Sequence, residues 1–567
     1  MWILPFIDEG ACGRGPVQDT VPTRDVFLLM NQQLPVPPVV AVRRKRLMTG
    51  APIALWLPAL LIALLMVSPL VYLVIRASEG GWDLIDLLWR DRTARVLRNT
   101  IMLTLSVTLG TVAISLPLAW LTTRTDLPGK RLWTVLTALP LVIPSYVGAF
   151  AVIATLGPRG IVQGWLERAF GIERLPEIYG LFGASLTLIL FSFPYVLLPL
   201  RSAMAGLDAS LEEASRSMGF GALATFRRVT VPQLRPAIAA GALLVAFYTL
   251  SDFGAVSLLQ FDSFTRAIYN QYRGAFDRTL AAGLALVLVA LTGAILGLEA
   301  WTRGGARYHR STGGSTRPAR VVRLGRWKWA GLAYCGVVVG FSLVMPVGIV
   351  TYWLARGLRA GEPLRLIWDA ALNSAMVSLL AAVVTVLAAA PIVVLSVRFP
   401  GRLTGLIERV TYAGYALPGI VVALSLVFFG IRYARPLYQT LTMLVIAYLI
   451  RFLPQAVGAL RASFLQVNPH IEEAARSLGH TTPRVWLRVT GPLVRPGLLS
   501  GGTLVFLTVM KELPATILLR PTGFDTLATR IWGATSEGFW ARAAAPSLIL
   551  IVIAAIPVVV VAWREGR

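Results

Sequence analysis

The sequence predicts an all-α polytopic membrane protein with about twelve transmembrane helices, arranged as two parallel repeats of six. Three observations predict it. Apolar residues make up 56% of the 567-residue chain and charged residues 14%, with a mean hydropathy of +0.69. A soluble domain of that length needs far more charge to cover its surface. Apolar runs of about 20 residues, each long enough to cross the hydrocarbon core, recur along the chain. Finally, the passage 212–236, EEASRSMGFGALATFRRVTVPQLRP, returns at 472–496 as EEAARSLGHTTPRVWLRVTGPLVRP, offset by 260 without a gap and identical at 12 of 25 positions.

The elements follow in order. Residues 1–47 are polar and proline-rich with no secretory signal pattern, and are expected to be disordered or to lie before the true start, with Met48 as an alternative first residue. Residues 48–301 form the first half, with spans expected at 53–76, 99–122, 132–156, 180–200, 237–258 and 280–301. Residues 329–567 form the second, with spans at 329–353, 373–396, 410–430, 437–460, 497–519 and 543–563. Every backbone polar group must be satisfied inside the lipid, so these runs are helices, and no alternating barrel pattern competes. Between the halves, 302–328 carries eight basic residues, no acids and a Gly/Ser/Thr/Pro-rich middle, the composition of a flexible cytoplasmic linker.

The halves match beyond the opening passage. The run starting at 99, NTIMLTLSVTLGTVAISLPLAWLTTR, aligns with NSAMVSLLAAVVTVLAAAPIVVLSVR from 373, so that Asn99/Asn373, Pro117/Pro391 and Arg124/Arg398 coincide. Six spans per repeat put both copies on the same side of the membrane, which makes the repeat parallel.

Charge orients the chain. With the N-terminus inside, behind RRKR at 43–46, the inner loops hold 30 Lys+Arg against 8 Asp+Glu and the outer loops 18 against 13. That is the bias expected of cytoplasmic loops, and it places both termini in the cytoplasm. It also absorbs most of the net charge of +25, so no nucleic-acid partner is invoked. Cys12, Cys335, His309, His470 and His480 are scattered, which argues against a metal site built from them.

The repeated loops, 201–235 and 461–495, read as helix–turn–helix. Asp208 and Asn468 are placed to cap a first helix, with Pro469 at its first position in the second copy. Gly219 and Gly479 are placed to end it in the left-handed conformation. A second short helix, starting at Thr482–Pro483 in the second copy and carrying Phe226 or Trp486, is expected to stop near Pro232 and Pro492. A single such loop is readily read as an interfacial connector; two equivalent ones suggest docking surfaces for two equivalent soluble partners.

The loops resemble the EAA motif of ABC importer permeases: Glu213-Ala214-Ser215, Gly219 and Val229-x-Val231-Pro232 in the first copy, Glu473-Ala474-Ala475, Gly479 and Val489-x-Gly491-Pro492 in the second. Ser215, the two valines, Val231 and Gly491 depart mildly from that pattern. The resemblance implies the type I ABC importer permease fold and a role in ATPase coupling for Glu212, Glu213, Ala214, Gly219, Phe226, Pro232, Glu472, Glu473, Ala474, Gly479, Trp486 and Pro492. It implies as partners two copies of an ATP-binding cassette subunit, a periplasmic substrate-binding protein and the bilayer of a bacterial inner membrane. None of the four lysines lies in a GxxxxGK[ST] loop, so ATP–Mg belongs to the partner subunits and no cofactor or enzymatic activity is assigned to the chain. Arg216/Arg476 and Arg228/Arg488 suit either acidic rims of that partner or anionic lipid headgroups.

Charges within spans cost about 2.5–3.5 kcal/mol on insertion scales and need a reason. Asp252 in the fifth span and Glu512 in the eleventh are again 260 apart, with Lys511 beside Glu512. One reading sets Asp252, Lys511, Glu512 and Tyr248 along a translocation pathway; the other makes Lys511 and one carboxylate a packing pair. Gly254 and Pro514, with Pro144 and Pro418 in the third and ninth spans, are expected to open or bend the helices. The segments DFGAVSLL and KELPATILLRPTGFDTLATRIW resemble fused permeases of ferric-iron uptake systems, which implies iron as cargo and oxygen donors such as Asp252, Glu512 and Tyr248 as transient ligands. Thiamine, polyamine and phosphonate importers share the twelve-span plan, and a secondary transporter shares the repeated halves without needing the paired loops.

Overall fold

The computed structural model describes residues 52–158, 160–172, 176–274, 278–303, 321–362, 365–414 and 417–565. The N-terminal segment 1–47 and most of the basic linker lie outside them. Among the described residues the fold is helical, and the backbone forms one isolated bridge in place of any sheet.

Among the described residues eleven helices are long and apolar enough to cross a membrane, the third of them counted from Ser145 to Phe170 across a break after Leu156, and a twelfth apolar helix is shorter. We number them in chain order: α1 Ile53–Ser78, α2 Asp91–Arg124, α3 Ser145–Leu156, α4 Leu181–Ala205, α5 Ala222–Ser251, α6 Arg278–Leu298, α7 Gly325–Arg359, α8 Ile367–Arg398, α9 Gly419–Arg432, α10 Leu441–Gln466, α11 Thr482–Met510 and α12 Trp540–Pro557. Each overlaps an expected span, although α5 and α11 begin 15 residues earlier than expected. Their outward faces are apolar, with Leu105 and Leu109 on α2 and Leu379 and Leu387 on α8 exposed, as lipid-facing positions must be.

Four spans are discontinuous. The third and ninth are broken before Pro144 and Pro418: Ile143 is extended, and α3 and α9 begin immediately after the prolines. Proline clashes with a helical residue ahead of it and donates no hydrogen bond. The fifth and eleventh stop at Ser251 and Met510 and restart as short helices, Gly254–Leu258 and Pro514–Leu519. Interrupted backbone at membrane depth is tolerated where protein buries it or where it lines a water-filled passage, and Asp252, Phe253, Glu512 and Leu513 are all buried.

Matched hydrogen bonds show the repeat. The Asn99 side-chain amide donates to the Asp262 carbonyl at 3.2 Å, and that of Asn373 to the Asp525 carbonyl at 3.0 Å. One residue on, the hydroxyls of Thr100 and Ser374 accept from the amides of Phe264 and Leu527 at 3.1 and 2.7 Å. The halves also interlock. α1 packs on α6 but equally on α8 and α9 of the other half, with Tyr72 against Phe428 and Tyr433 at ring separations of 6.2 and 6.3 Å. α7 reaches back onto α3, and Tyr334 donates to the Ile114 carbonyl of α2 at 3.1 Å. The described end of the linker is stitched down as well: Val322 bridges the strand-like residue Thr125, and Leu324 N donates to the Asp126 carboxylate at 2.8 Å.

Candidate functional site

Both repeated loops fold alike. Helix Ala209–Ser217 is capped by Asp208, which accepts from Ser210 N at 3.0 Å, and helix Pro469–Ser477 by Asn468, which accepts from His470 N at 3.0 Å. Gly219 and Gly479 follow at φ of 88° and 85°, the left-handed turn that a side chain would strain. The expected stop at Pro232 and Pro492 does not occur. The second helix runs unbroken into the membrane as α5 or α11, with one wide π-turn at Phe226–Thr230 and at Trp486–Thr490. Each proline sits in the first turn after that bulge, where the wider ring relieves the clash of the proline with the preceding turn.

The first glutamate of each pair faces inward. Glu212 is ion-paired with Arg124 at the end of α2 and accepts from the Thr230 hydroxyl at 2.9 Å. Glu472 repeats this with Arg398 at 2.9 Å and Thr490 at 3.0 Å. One carboxylate thus ties the end of one span, the loop helix and the start of the next. The second glutamates, Glu213 and Glu473, and Ala214 and Ala474 face outward. So do Met218 and Leu478, 70% and 81% exposed. The departure at Ser215 has a local partner: its hydroxyl bonds Thr225 at 3.0 Å, whereas the second copy buries Ala475 and Val485 at these positions. Phe226 and Trp486 are half-buried, and Trp486 lies 5.7 Å from the Phe464 ring. At the same end of the first half, burial reinforced by nearby Arg201 lowers the Lys130 ammonium below the usual lysine range.

The buried carboxylates sit at the breaks. Asp252 accepts from Ala255 N and Val256 N at 3.0 and 3.3 Å, and Glu512 from Ala515 N and Thr516 N, both at 3.1 Å. Each caps the short helix that follows, satisfying the amides that a helix start leaves without partners. Glu512 is also paired with Arg451 of α10 and accepts from the Thr516 hydroxyl at 2.9 Å. Of the two readings of Lys511, the packing pair with a carboxylate is not the contact described: Lys511 Nζ donates to the Leu141 carbonyl of the first half at 3.0 Å. Tyr248 packs against Tyr195, 5.3 Å between ring centres. Arg451 was absent from the sequence reading, though a lone arginine in the apolar run AYLIRFLP is flagged by the same insertion cost that singles out Glu512.

The halves differ here. Arg451 corresponds to Phe191, and Gly419 to Ser145. A Cβ on Gly419 would lie 2.0 Å from Arg451 Nη1 and 3.0 Å from Glu512 Oε1, so the missing side chain makes room for the ion pair. Among the described residues no group of three or more His, Cys, Asp or Glu is placed to hold a metal ion.

Comparison with known proteins agrees with this architecture. The family described as binding-protein-dependent transport system inner membrane component matches residues 39–301 and 381–565. The Fe(3+)-transport system permease protein FbpB 2 of Haemophilus influenzae is 36% identical over 511 residues, 89% of this chain and 97% of that protein. The ferric transport system permease protein FbpB of Actinobacillus pleuropneumoniae is 27% identical over 541 residues, 89% of this chain and 77% of its own. The molybdenum transport system permease protein ModB of Escherichia coli is 32% identical over 213 residues, 36% of this chain and 92% of its own.

Proposed function

Because the chain belongs to the family of binding-protein-dependent transport system inner membrane components, whose pattern occurs in both halves, we propose that it is the fused permease of an ABC importer for ferric iron. A periplasmic binding protein delivers the cargo. Two copies of an ATP-binding cassette subunit dock at the two EAA-type loops and hydrolyse ATP–Mg, and both termini of the chain lie in the cytoplasm.

The observation that carries the reading is the pair of loops with the same anchored glutamate and the same exposed face. Met218 and Leu478, beside Glu213 and Glu473, offer two equivalent apolar contacts to two equivalent subunits. When those subunits close, each loop is displaced. The Arg124–Glu212–Thr230 and Arg398–Glu472–Thr490 junctions pass that displacement to α2 and α5, and to α8 and α11. The latter helix of each pair ends at a break capped by Asp252 or Glu512, where a helix can swing without breaking a continuous hydrogen-bond ladder.

Asp252, Lys511, Glu512 and Tyr248 line the pathway in this proposal. Their carboxylate oxygens already accept backbone amides, which favours shaping and charging the passage over tight capture of the ion. Iron is the favoured cargo because two relatives named for ferric transport match along most of this chain. Uptake of radiolabelled ferric iron, with thiamine in parallel, in cells lacking and regaining the chain tests the assignment. Loss and recovery of iron uptake alone supports it; unchanged iron uptake in cells with no second iron system refutes it.

A further inference from the structure

The strongest unassigned feature lies at the loop end of the first half. A groove of about 400 Å³ runs between α2 and the first loop. α2 lines it with Leu116, Pro117 and Trp120, and the loop with Leu223 and Phe226. Leu116 is eight residues from Arg124, about 12 Å along the helix axis. The groove therefore starts among the acyl chains and ends at headgroup depth.

At that end stand Arg124, Arg216 and Glu212. Both oxygens of Glu212 are engaged, one by Arg124 and one by Thr230. Arg124 is 5% exposed, and its Nη1 has no hydrogen-bond partner among the described residues. Two guanidinium groups against one carboxylate leave a net positive end with an unused, buried donor. An unsatisfied charged donor is costly, and guanidinium is well matched to phosphate oxygens.

We propose that this groove binds one anionic phospholipid, its acyl chain along Leu116, Pro117 and Trp120 and its phosphate between Arg124 and Arg216. The site is confined to the first half. The residues that correspond to Leu116, Trp120 and Leu223 are Ala390, Val394 and Pro483, which build no comparable wall. The ring that corresponds to Phe226, Trp486, is drawn against Phe464, and Arg398, whose Nε is its one buried nitrogen without a partner among the described residues, spends Nη2 on the Val467 carbonyl as well as on Glu472. Val322, from the segment that joins the halves, closes the first-half groove. The lipid would touch the residue that anchors the first loop, so one of the two loops would sense the headgroup composition of its leaflet. Whatever cargo the chain carries, such a lipid would bind.

Native mass spectrometry of the full chain in mixed micelles of phosphatidylcholine and phosphatidylglycerol tests it. The wild type should retain one phosphatidylglycerol that Arg216→Gln loses. Trp120→Ala should weaken retention about tenfold, and Arg476→Gln should leave it intact. Arg216 and Arg476 are exposed on the loops, so neither change threatens the fold. Equal retention in wild type and Arg216→Gln, equal retention of the neutral lipid, or equal loss in Arg476→Gln would each overturn the proposal.

Discussion

Arg451 and Glu512 show how much one residue position decides in this molecule. Glu512 serves the Arg451 guanidinium, two backbone amides and a hydroxyl. Removing the carboxylate strands a buried cation, which costs about 3–5 kcal/mol where such pairs have been broken. Glu512→Ala should therefore lower thermal stability sharply, and Glu512→Ala with Arg451→Leu should recover most of the loss in a melting experiment. Glu512→Gln keeps one accepting oxygen for the cap while losing the charge. It should assemble with the ATPase subunits yet transport at least tenfold more slowly; normal uptake would remove Glu512 from the pathway. Gly419→Ala probes the same pair from outside. Its methyl would stand where the Arg451 guanidinium sits, and overpacking of this kind costs about 1–3 kcal/mol. The matching change Ser145→Ala disturbs no ion pair, because Phe191 stands where the second half has Arg451; its cost is instead the hydrogen bond of the Ser145 hydroxyl to the buried Asp252 carboxylate, about 1–3 kcal/mol.

At the scale of elements, the loops carry the testable content. Met218→Asp or Leu478→Asp should each weaken ATPase-subunit binding, and the double variant should abolish co-purification. Arg124→Ala and Arg398→Ala should leave docking intact but lower transport per ATP hydrolysed, read in a reconstituted system. The caps, the left-handed glycines and the paired loops were legible in the sequence, because each depends on a residue type at a fixed offset. The π-turns were not. A proline signals only that a helix cannot continue regularly, and whether the chain stops or widens by one residue is settled by the packing of the next span. The breaks at Asp252 and Glu512 were half legible: Gly254 and Pro514 marked where the helices open, but the role of each carboxylate as a cap needs the short helix beyond it. Arg451 lay in plain view and was hidden by distance, 61 residues from the carboxylate it serves.

At the scale of the whole molecule, the two halves form a single interlocked bundle. The tandem repeat was readable from the offset of 260, whereas the exchange of α1 and α7 between halves leaves no mark in either repeat. Polypeptides 1–310 and 311–567, expressed together, should co-purify and restore uptake, because α1 and α7 each bind across the division; failure to associate would show that the covalent joint is needed. The exchange also sets a timetable for biogenesis. The ribosome must make about 335 residues between the end of α1 and Gly414, which takes roughly 17–67 s at ordinary elongation rates. Throughout that interval the surface of α1 around Met66 and Tyr72, which finally meets Gly414 and Phe428, has no protein to cover it. α1 is thus made early and completes its set of neighbours late, and in that interval it is open to membrane quality control.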